Sequence, residues 1–373
     1  MRNLASELGQ QIGQLLIIGF NGTEMSPSLA SVLTKIQPAG VILFARNIAE
    51  AKQTHTLLRD CQECIATPLF TCVDLEGGTV DRFRRVLGSA PSPAEVFATD
   101  NRTLFRKHGR VIGENCRALG FNLDFAPVLD LAYEASRSVM RSRAVSDDQK
   151  QVVAYAREFL RGLADAGVLG CGKHFPGLGE ATLDTHHELP RVEKSLRKLW
   201  EQDLVPYRAL RRELPMVMVS HAAFPAVTKE RIPASLSKKW ITAILRKKIG
   251  YRGLICSDDL EMGGALAAAT IEQAIEQVTI GHIRAGGDFG LICHQEDFIL
   301  RAHEALTREA ERDAKFARRV RESARRVLAF KKKSLTKRRT PEPTSARVEK
   351  LTRQLWEFGE EIRMAMLARE GRA

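Results

Sequence analysis

The sequence contains no long hydrophobic run among its 373 residues. The first twenty residues hold only a short apolar stretch that ends in Gly19-Phe20, and no small-residue cleavage site follows it. No later segment has the roughly 20 apolar residues that a membrane helix needs. We therefore expect no signal peptide and no membrane span. A hydrophobic fraction of 44% and a charged fraction of 27% are typical of a globular chain with one large or two medium domains.

Nucleotide-binding motifs are also missing. Neither GxGxxG nor GxxxxGK[ST] follows any strand-like segment, which argues against a Rossmann or P-loop domain. The net charge is +12, but no basic stripe interleaved with aromatic residues accompanies it, and part of the excess is local, in KKKSLTKRR at 331–339. We expect no nucleic-acid partner. A nucleic-acid-binding or scaffold protein stays an alternative that a salt-dependent gel shift would reveal.

A disulfide framework is not expected either. Seven cysteines are an odd count, and four of them lie in apolar strand-like runs, where a thiol behaves as a small buried hydrophobe. These four are Cys72, Cys171, Cys256 and Cys293. The pattern favours a reducing cytoplasm. Cys61 and Cys64 form a CxxC with helical flanks, but no second Cys/His pair lies at a suitable spacing, so we expect no metal there.

What the chain does have is a repeated alternation of strand-like and helix-like segments, such as the amphipathic segment 147–167. Roughly eight strand-helix units in about 330 residues predict an α/β fold of the (β/α)₈ TIM-barrel type. A doubly wound open sheet is the structural alternative. The strand-like runs are LLIIGF (15–20), GVILFA (40–45), LFTCVD (69–74), LDFAPVLDL (123–131), LGCGKHF (169–175), MVMVSH (216–221), LICSDD (254–259) and FGLICH (289–294).

Polar residues end nearly every one of these runs. Because the strand bodies of a barrel fill its packed interior, catalytic groups lie at the rim formed by the carboxyl ends of the strands. The sequence therefore predicts that these polar ends meet around one mouth. They are Asn21, Arg46, Asn47, Asp74, Asp130, Lys173, His174, His221, Asp258, Asp259 and His294.

Three regions are predicted along the chain. Residues 1–330 form the catalytic barrel, residues 331–350 form a solvated basic linker that includes a PEP at 341–343, and residues 351–373 form a C-terminal amphipathic helix. Apolar residues recur at helical spacing in the last region, so we expect this helix to dock on the barrel. They are Leu351, Leu355, Phe358, Ile362 and Met366.

The segment GKHFPGLGEATLDTHHELP at 172–190 concentrates titratable groups in a glycine-jointed loop. Its Asp184 and His186 stand at i and i+2, on one side of an extended loop. A histidine with a pKa of about 6.5 suits proton transfer in both directions, and a neighbouring aspartate fixes its tautomer. His187 and His221 are weaker candidates, more typical of packed or hydrogen-bonded support.

Two other stretches place carboxylates at the rim. Asp74 ends a strand in VDLEGGTVDRF (73–83), and Asp258 and Asp259 follow a strand in ICSDDLEMGG (255–264). Each of these three aspartates could instead cap the N-terminus of a helix. Adjacent side chains of an extended segment point in opposite directions, so we expect only one of the two aspartates, Asp258, to face the mouth. A carboxylate and an acid on one rim are what glycoside hydrolysis requires.

Together these stretches resemble glycoside hydrolase family 3. The shared motifs are KHFPG(x)G with DTH and LP, D(x)EGG(x)V(x)R, FAPVLD (125–130) and SDDL(x)M (257–262), with GVILFARNI (40–48) and PASLS (233–237) in the same order. Within the family the likeness is to the single-domain bacterial β-N-acetylhexosaminidases of cell-wall recycling. It extends from about Leu15 to His294.

The resemblance implies roles for individual residues. Asp258 would be the nucleophile, His186 the acid/base and Asp184 its orienting partner. Five residues would bind the sugar's hydroxyl and acetamido groups, namely Asp74, Arg82, Arg143, Lys173 and His174. It further implies no metal or other cofactor, a small carbohydrate or muropeptide substrate with terminal β-linked N-acetylglucosamine, a cytoplasmic location, and a monomer or weak oligomer. Whether water or phosphate accepts the sugar stays open.

The sequence also departs from the family pattern at the pocket edge. Thr79 replaces a usual arginine, Leu178 a histidine or arginine, and Glu180 a frequent aspartate; Arg141 and Val145 replace glycine and phenylalanine. These changes leave the aglycone preference open. Two enzyme alternatives are a family 3 glycosidase of other sugar specificity and a metal-dependent barrel hydrolase, although the HxH pair expected on an early strand for many of the latter is missing.

Overall fold

The computed structural model of the chain describes residues 2–140, 142–181, 189–267, 273–335 and 340–370. Within these ranges the chain forms ten β-strands. The strands are β1 (Leu16–Ile18), β2 (Gly40–Ile42), β3 (Phe70–Val73), β4 (Leu75–Gly77), β5 (Val80–Asp81), β6 (Leu123–Asp124), β7 (Leu169–Phe175), β8 (Met216–Val219), β9 (Leu254–Asp259) and β10 (Phe289–Ile292).

Helices fill most of the connections between these strands. The α-helices are α1 (Arg2–Gly13), α2 (Pro27–Ile36), α3 (Ala51–Glu63), α4 (Arg84–Leu87), α5 (Pro93–Ala98), α6 (Arg102–Ala118), α7 (Arg137–Met140), α8 (Gln149–Asp165), α9 (Leu196–Glu201), α10 (Val205–Ala209), α11 (Pro225–Thr228), α12 (Gly263–Leu266), α13 (Ala274–Ala285), α14 (Glu296–Arg312), α15 (Ala314–Ser334) and α16 (Ser345–Glu370). Short 3₁₀ turns lie at Ala45–Asn47, Glu134–Ser136 and Ala234–Leu236, and Lys239–Lys248 is a π-helix.

Eight strands close into a parallel barrel in the order β1-β10-β9-β8-β7-β6-β3-β2. Closure depends on β1, which pairs in parallel with β10 on one side and with β2 on the other. An open doubly wound sheet would leave two free edges, so that alternative is wrong and the predicted (β/α)₈ TIM barrel is confirmed. The remaining strands, β4 and β5, form a separate antiparallel hairpin directly after β3.

The helices form where local sequence supports them. Helix α8 begins after Asp148, whose carboxylate accepts hydrogen bonds from the backbone N–H groups of Lys150 and Gln151. Its buried stripe includes Val152, Tyr155 and Phe159, at helical spacing, and packs against α6. Such helix faces and the outer faces of the strands form the larger of two apolar cores.

The second core fills the barrel interior with side chains from alternate strand positions. The four cysteines predicted to be buried all lie there, and all seven thiols of the chain are free. These four are Cys72, Cys171, Cys256 and Cys293. The same interior holds Phe70, Phe125 and Phe289, so small thiols and large rings fill it together.

The predicted linker boundary at residue 331 is wrong, because α15 continues to Ser334. Lys331 is 1% exposed and its Nζ donates a hydrogen bond of 2.8 Å to Gln14 Oε1, just before β1. Its ammonium also lies 5.2 Å from the centre of the Phe70 ring, at the start of β3. Burial lowers the pKa of Lys331 to about 7. Lys331 thus lies buried at the amino ends of the strands, although the local run of lysines predicted that it would be exposed to solvent.

The C-terminal helix α16 starts at Ser345, six residues before the predicted start at Leu351. The predicted apolar stripe faces the barrel, since Leu351, Leu355, Phe358 and Ile362 are buried. Helix α16 packs on α4, α5 and α6. None of the helices within the described ranges is both long and apolar enough to cross a membrane.

Candidate active site

A pocket of about 200 Å³ opens at the carboxyl ends of the barrel strands. Six of the predicted site residues line it, although they come from four separate stretches of sequence. They are Asp74, Arg82, Arg143, Lys173, His174 and Asp258. The predicted acid/base His186 and its partner Asp184 lie in 182–188, outside the described residues, as does His187.

The β4–β5 hairpin brings two carboxylates to the pocket. Gly77 and Gly78 in its turn have φ of +88° and +60°, which residues with a Cβ rarely adopt. A Cβ on Gly77 would lie 2.1 Å from the carbonyl oxygen of Pro91, so the close approach of the two backbones also requires glycine. Asp74 and Glu76, two positions apart in this extended segment, both line the pocket.

Glu76 contacts two cationic residues of the pocket, Arg143 and Lys173, and is itself only 1% exposed. Arg143 donates two parallel hydrogen bonds to it, from Nε to Oε2 and from a terminal nitrogen to Oε1, each 2.8 Å long. Lys173 Nζ lies 2.6 Å from Oε1. Burial would raise the pKa of Glu76, but Arg143 and Lys173 outweigh it and hold the pKa well below its usual range. Glu76 is therefore a carboxylate that positions two cations.

Lys173 also reaches Asp74, donating a hydrogen bond of 2.8 Å to Oδ1. Burial would lower the pKa of Lys173, but Asp74 and Glu76 raise it above its usual value, so the side chain is an ammonium. Arg82 lies 3.9 Å from the other oxygen of Asp74. Its buried Nε has no hydrogen-bond partner among the described residues. The pocket thus offers charged donors and a partly exposed carboxylate to a polar ligand.

His174 is oriented by Asp130, which ends the FAPVLD stretch. Asp130 Oδ2 accepts hydrogen bonds from the backbone N–H of His174 at 3.1 Å and from its ring Nδ1 at 2.6 Å. The other oxygen accepts from the backbone N–H of Leu178 at 2.7 Å. A carboxylate only accepts, so Nδ1 carries a proton and Nε2 faces Arg143, 3.5 Å away. Asp130 therefore fixes the ring and the start of the following loop together.

Both Asp258 and Asp259 line the pocket, so the prediction that only one would face the mouth is wrong. The reason is an irregular register between β9 and β10, in which Cys256 pairs with Phe289 and Asp259 with Leu291. The extra residue on β9 interrupts the strict alternation of side chains. The backbone N–H of Asp259 donates to Asp258 Oδ1 at 2.9 Å.

The ionisation of Asp258 suits a nucleophile. Burial would raise its pKa, but the nearby rings of His174 and His221, the backbone N–H of Asp259 and the ammonium of Lys173 lower it below the usual aspartate value. The carboxylate is therefore anionic at neutral pH. Asp259 is held differently, since His294 Nε2 lies 3.3 Å from its Oδ2 at the pocket edge.

His221 has the supporting position expected for it. It is fully buried, with Nε2 2.9 Å from the carbonyl oxygen of Asp259 and Nδ1 2.7 Å from Ser235 Oγ. A carbonyl only accepts, so Nε2 carries the proton and Nδ1 accepts from the serine hydroxyl. Burial lowers the pKa of His221, and the neutral ring fixes the backbone that follows Asp258.

Leu178 lines the pocket, and the described chain continues from it to Ala181, before residues 182–188. Beyond the undescribed residues, the buried Lys194 binds Glu180 at 3.1 Å and Asp203 at 2.8 Å. Pro190 accepts a backbone hydrogen bond of 2.8 Å from Ala223, after β8. Both flanks of 182–188 are therefore fixed to the barrel near the pocket.

Sequence reasoning missed the roles of Glu76 and Asp130. Glu76 was visible in the DLEGG stretch and Asp130 at a strand end, but their partners lie 67 and 44 residues further along the chain. It also missed an edge formed by Phe44 with Arg46 and His294. The Arg46 guanidinium lies 4.6 Å from the Phe44 ring centre and the His294 ring 5.2 Å from it.

No group of three or more His, Cys, Asp or Glu side chains that could hold a metal ion occurs in the described part of the chain. The pocket residues instead satisfy one another through ion pairs and hydrogen bonds. The described pocket is thus a cluster of fixed charges around the anionic carboxylate of Asp258 at the mouth of a barrel, where barrel enzymes place their catalytic groups.

Comparison with known proteins defines the family. The model of the glycosyl hydrolase family 3 N-terminal domain matches residues 7–330. A β-hexosaminidase from Stenotrophomonas maltophilia (strain K279a) is 35% identical over 289 residues, covering 76% of this chain and 84% of the relative. One from Bordetella avium (strain 197N) is 38% identical over 266 residues, covering 69% and 74%. The chain therefore belongs to glycosyl hydrolase family 3 and is a glycoside hydrolase.

A solved structure agrees with this assignment. The family 3 β-N-acetylglucosaminidase from Paenibacillus sp. str. FPU-7 superposes with a TM-score of 0.84 and 32% sequence identity, over 94% of this chain and 68% of that one. The predicted membership of family 3, with relatives among the β-N-acetylhexosaminidases, is confirmed.

Proposed function

We propose that this glycoside hydrolase is a retaining exo-β-N-acetylglucosaminidase that acts through a covalent glycosyl-enzyme. The observation that carries the proposal is the position of Asp258, an anionic carboxylate at the end of β9 beside the charged sugar-binding candidates. The names of the S. maltophilia and B. avium relatives support a hexosaminide as substrate, and that of the Paenibacillus structure supports an N-acetylated sugar.

The pocket suits the end of a sugar chain rather than its middle. Its volume of about 200 Å³ is small, and its lining places donors and acceptors of hydrogen bonds around one space. Arg82, Arg143 and Lys173 supply N–H groups, and Asp74 and the Nε2 atom of His174 supply acceptors. A hydroxylated ring both donates and accepts hydrogen bonds, so this mixed lining fits it. We expect exo action, with removal of one terminal sugar at a time.

The proposed chemistry has two steps. In the first, Asp258 attacks the anomeric carbon while His186 donates a proton to the departing glycosidic oxygen, leaving a glycosyl ester on Asp258. In the second, His186 takes a proton from water, the oxygen attacks the same carbon, and the Asp258 carboxylate departs. Asp184 orients His186 and stabilises its protonated form. Two inversions at one carbon give net retention.

The natural substrate follows from the resemblance to enzymes of cell-wall recycling. We propose terminal β-linked N-acetylglucosamine on muropeptide fragments as the bond cleaved, in the cytoplasm, by a monomer or weak oligomer. Phosphate could replace water in the second step, since a neutral histidine base does not repel an anion as a carboxylate base would.

Hydrolysis of aryl glycosides tests the proposal. The purified enzyme should release the aryl group from an aryl N-acetyl-β-glucosaminide faster than from the corresponding glucoside, and the rate should survive EDTA. Equal rates on both substrates would favour a family 3 glycosidase of other specificity. Loss of activity with EDTA and recovery with zinc would favour a metal-dependent hydrolase. Repeating the assay with added phosphate, and analysing the products for a sugar phosphate, identifies the acceptor.

A further inference from the structure

A second concave region lies far from the pocket, on the outer wall of the barrel near the amino ends of β9 and β10. It is formed by the π-helix Lys239–Lys248, the end of α13 and the first half of α15, and has a volume of about 1110 Å³. Eight arginine and lysine side chains line it, against two acidic ones, Asp313 and Glu322. We refer to this region as the basic groove.

The floor of the basic groove has too few carboxylates for its arginines. Asp288 is 0% exposed and accepts hydrogen bonds from Arg246, Arg319 and Arg326. Within the described ranges, the only other carboxylate paired with any of these three arginines is Glu322, which is 58% exposed and lies 2.8 Å from Arg319 and from Arg326. The floor therefore keeps a positive charge after its internal pairing.

Unsatisfied donors add to this imbalance. The Nε atoms of Arg246 and Arg319 are buried and have no acceptor in the described part of the chain. A buried donor without an acceptor costs free energy, so the floor is not optimised for stability alone.

The rim of the basic groove has a larger excess of positive charge than its floor. Lys238, Lys247, Arg252 and Lys315 line the groove and have no ion pair among the described residues. They come from both walls, because Lys247 is on the π-helix and Lys315 is in the first turn of α15. Four unpaired cations around three partly neutralised arginines create a positive potential that attracts anions.

We propose that the basic groove is a binding site for an anion that carries several phosphate groups, separate from the catalytic pocket. A phosphate group offers three acceptor oxygens and up to two charges, which suits guanidinium and ammonium donors that converge from different helices. A carboxylate offers only two oxygens in one plane. The concave shape suits a small or extended ligand and excludes a bilayer surface. Linked phosphates occur in phosphoanhydrides and in phosphodiesters, and both sources share this chemistry.

Calorimetric titration of the full-length enzyme with inorganic tripolyphosphate tests the proposal. We expect binding at about 0.1 M salt that weakens as salt is added. The double variant Lys247→Glu with Lys315→Glu reverses two rim charges and should weaken binding about tenfold or more. The matched control, Lys150→Glu with Lys198→Glu, makes the same charge change at two exposed lysines elsewhere on the barrel and should change binding by less than about twofold.

Further arms of the titration separate the sources and the alternatives. A short single-stranded oligonucleotide that displaces tripolyphosphate would identify phosphodiesters as the source, and one that does not would identify phosphoanhydrides. The proposal is overturned if the wild-type enzyme does not bind tripolyphosphate, if the control variant loses as much affinity as the rim variant, or if the tricarboxylate tricarballylate binds as tightly. Unchanged hydrolysis of an aryl glycoside by both variants shows that they are folded and that the catalytic pocket is unaffected.

Discussion

Two buried ion clusters at opposite ends of the barrel differ in one respect, the balance of their charges. The pocket cluster contains two carboxylates and two cations in direct contact, namely Asp74, Glu76, Arg143 and Lys173. The base cluster contains one buried carboxylate and three guanidiniums, namely Asp288, Arg246, Arg319 and Arg326. Burial and ion pairing are therefore common to the proposed catalytic centre and to a region remote from it.

The balance decides what each cluster can bind. Matched charges give the pocket cluster a fixed set of donors and acceptors with no net charge, which suits an uncharged sugar and, in the proposed mechanism, leaves Asp258 as the nucleophile. Unmatched charges leave the base cluster with a positive field, which suits an anion. A search for active sites that relied on buried or perturbed ionisable groups alone would select both.

The largest effect should come from Asp258→Asn. The amide is not a nucleophile, so no glycosyl ester forms, and hydrolysis of every substrate should fall roughly 10⁴-fold or more, whatever the leaving group. Asp259→Asn is the matched control, since it removes a neighbouring carboxylate of the same pocket and should keep most of the activity. Steady-state rates with good and poor leaving groups measure both. Similar losses in the two variants would contradict the assignment of the nucleophile.

His186→Ala should have the next largest effect, a loss of about 10²–10⁴-fold on substrates with poor leaving groups. A dinitrophenolate needs little protonation, so a dinitrophenyl N-acetylglucosaminide should still form the glycosyl-enzyme, whose hydrolysis then becomes slow for lack of a base. Mass spectrometry should find one sugar per chain, on Asp258 after peptide digestion. A sugar on Asp259, or undiminished activity without an adduct, would refute these roles.

The His186→Ala variant also allows the ionisation of Asp258 to be measured without that of the acid/base. Because its pKa lies below the usual aspartate value of about 3.9, Asp258 stays anionic as the pH falls from 8 to 5. The kcat/KM of His186→Ala for the dinitrophenyl substrate should therefore be flat over this range. A loss of rate centred above pH 5 would show that the nucleophile has a raised pKa instead.

Glu76→Gln breaks the balance of the pocket cluster without changing its shape. Arg143 and Lys173 then lose their shared carboxylate and its positioning, so we expect kcat/KM to fall about 10²-fold, with KM rising more than kcat falls. Glu76→Asp should restore part of the loss, because it restores the charge. A variant that is less stable but has an unchanged KM would reduce Glu76 to a structural role. Thermal unfolding measured beside the kinetics distinguishes the two.

Asp288→Asn is the equivalent change in the base cluster and should affect stability instead of chemistry. Removing the carboxylate of a fully buried ion pair costs roughly 3–5 kcal/mol, and we expect about 2–3 kcal/mol here because the three arginines are partly exposed to solvent. Urea unfolding measures the loss, and kcat of the folded variant should be unchanged. A fall in kcat comparable to that of Glu76→Gln would mean that the two clusters are coupled.

Features encoded in short stretches were predictable from the sequence. Each strand of the barrel is a local apolar run with a polar end, so both the fold and the six described pocket residues followed from pattern and from family resemblance. The relation between Asp258 and Asp259 did not follow, because it depends on the register with β10, an interaction between two distant segments.

The errors at the barrel base have the same origin. The run of lysines from 331 has the composition of a solvated segment, but Lys331 is drawn inside because the amino ends of the strands leave a space that Gln14 and the Phe70 ring line. Likewise the role of Glu76 depends on Arg143, 67 residues away. Composition reports how a segment behaves alone, and tertiary contacts of this kind override it.

Helix α16, close to the C-terminal end of the sequence, covers one face of α6, which lies in the first third of the sequence. Phe358 stacks on His108 with ring centres 5.8 Å apart, and Glu361 pairs with Lys107. About 250 residues separate Phe358 from His108 in the sequence. At the usual rate of protein synthesis those residues take roughly 10–50 s to appear, and the face of α6 stays uncovered meanwhile. A nascent chain thus exposes this apolar face of α6 until α16 has emerged from the ribosome.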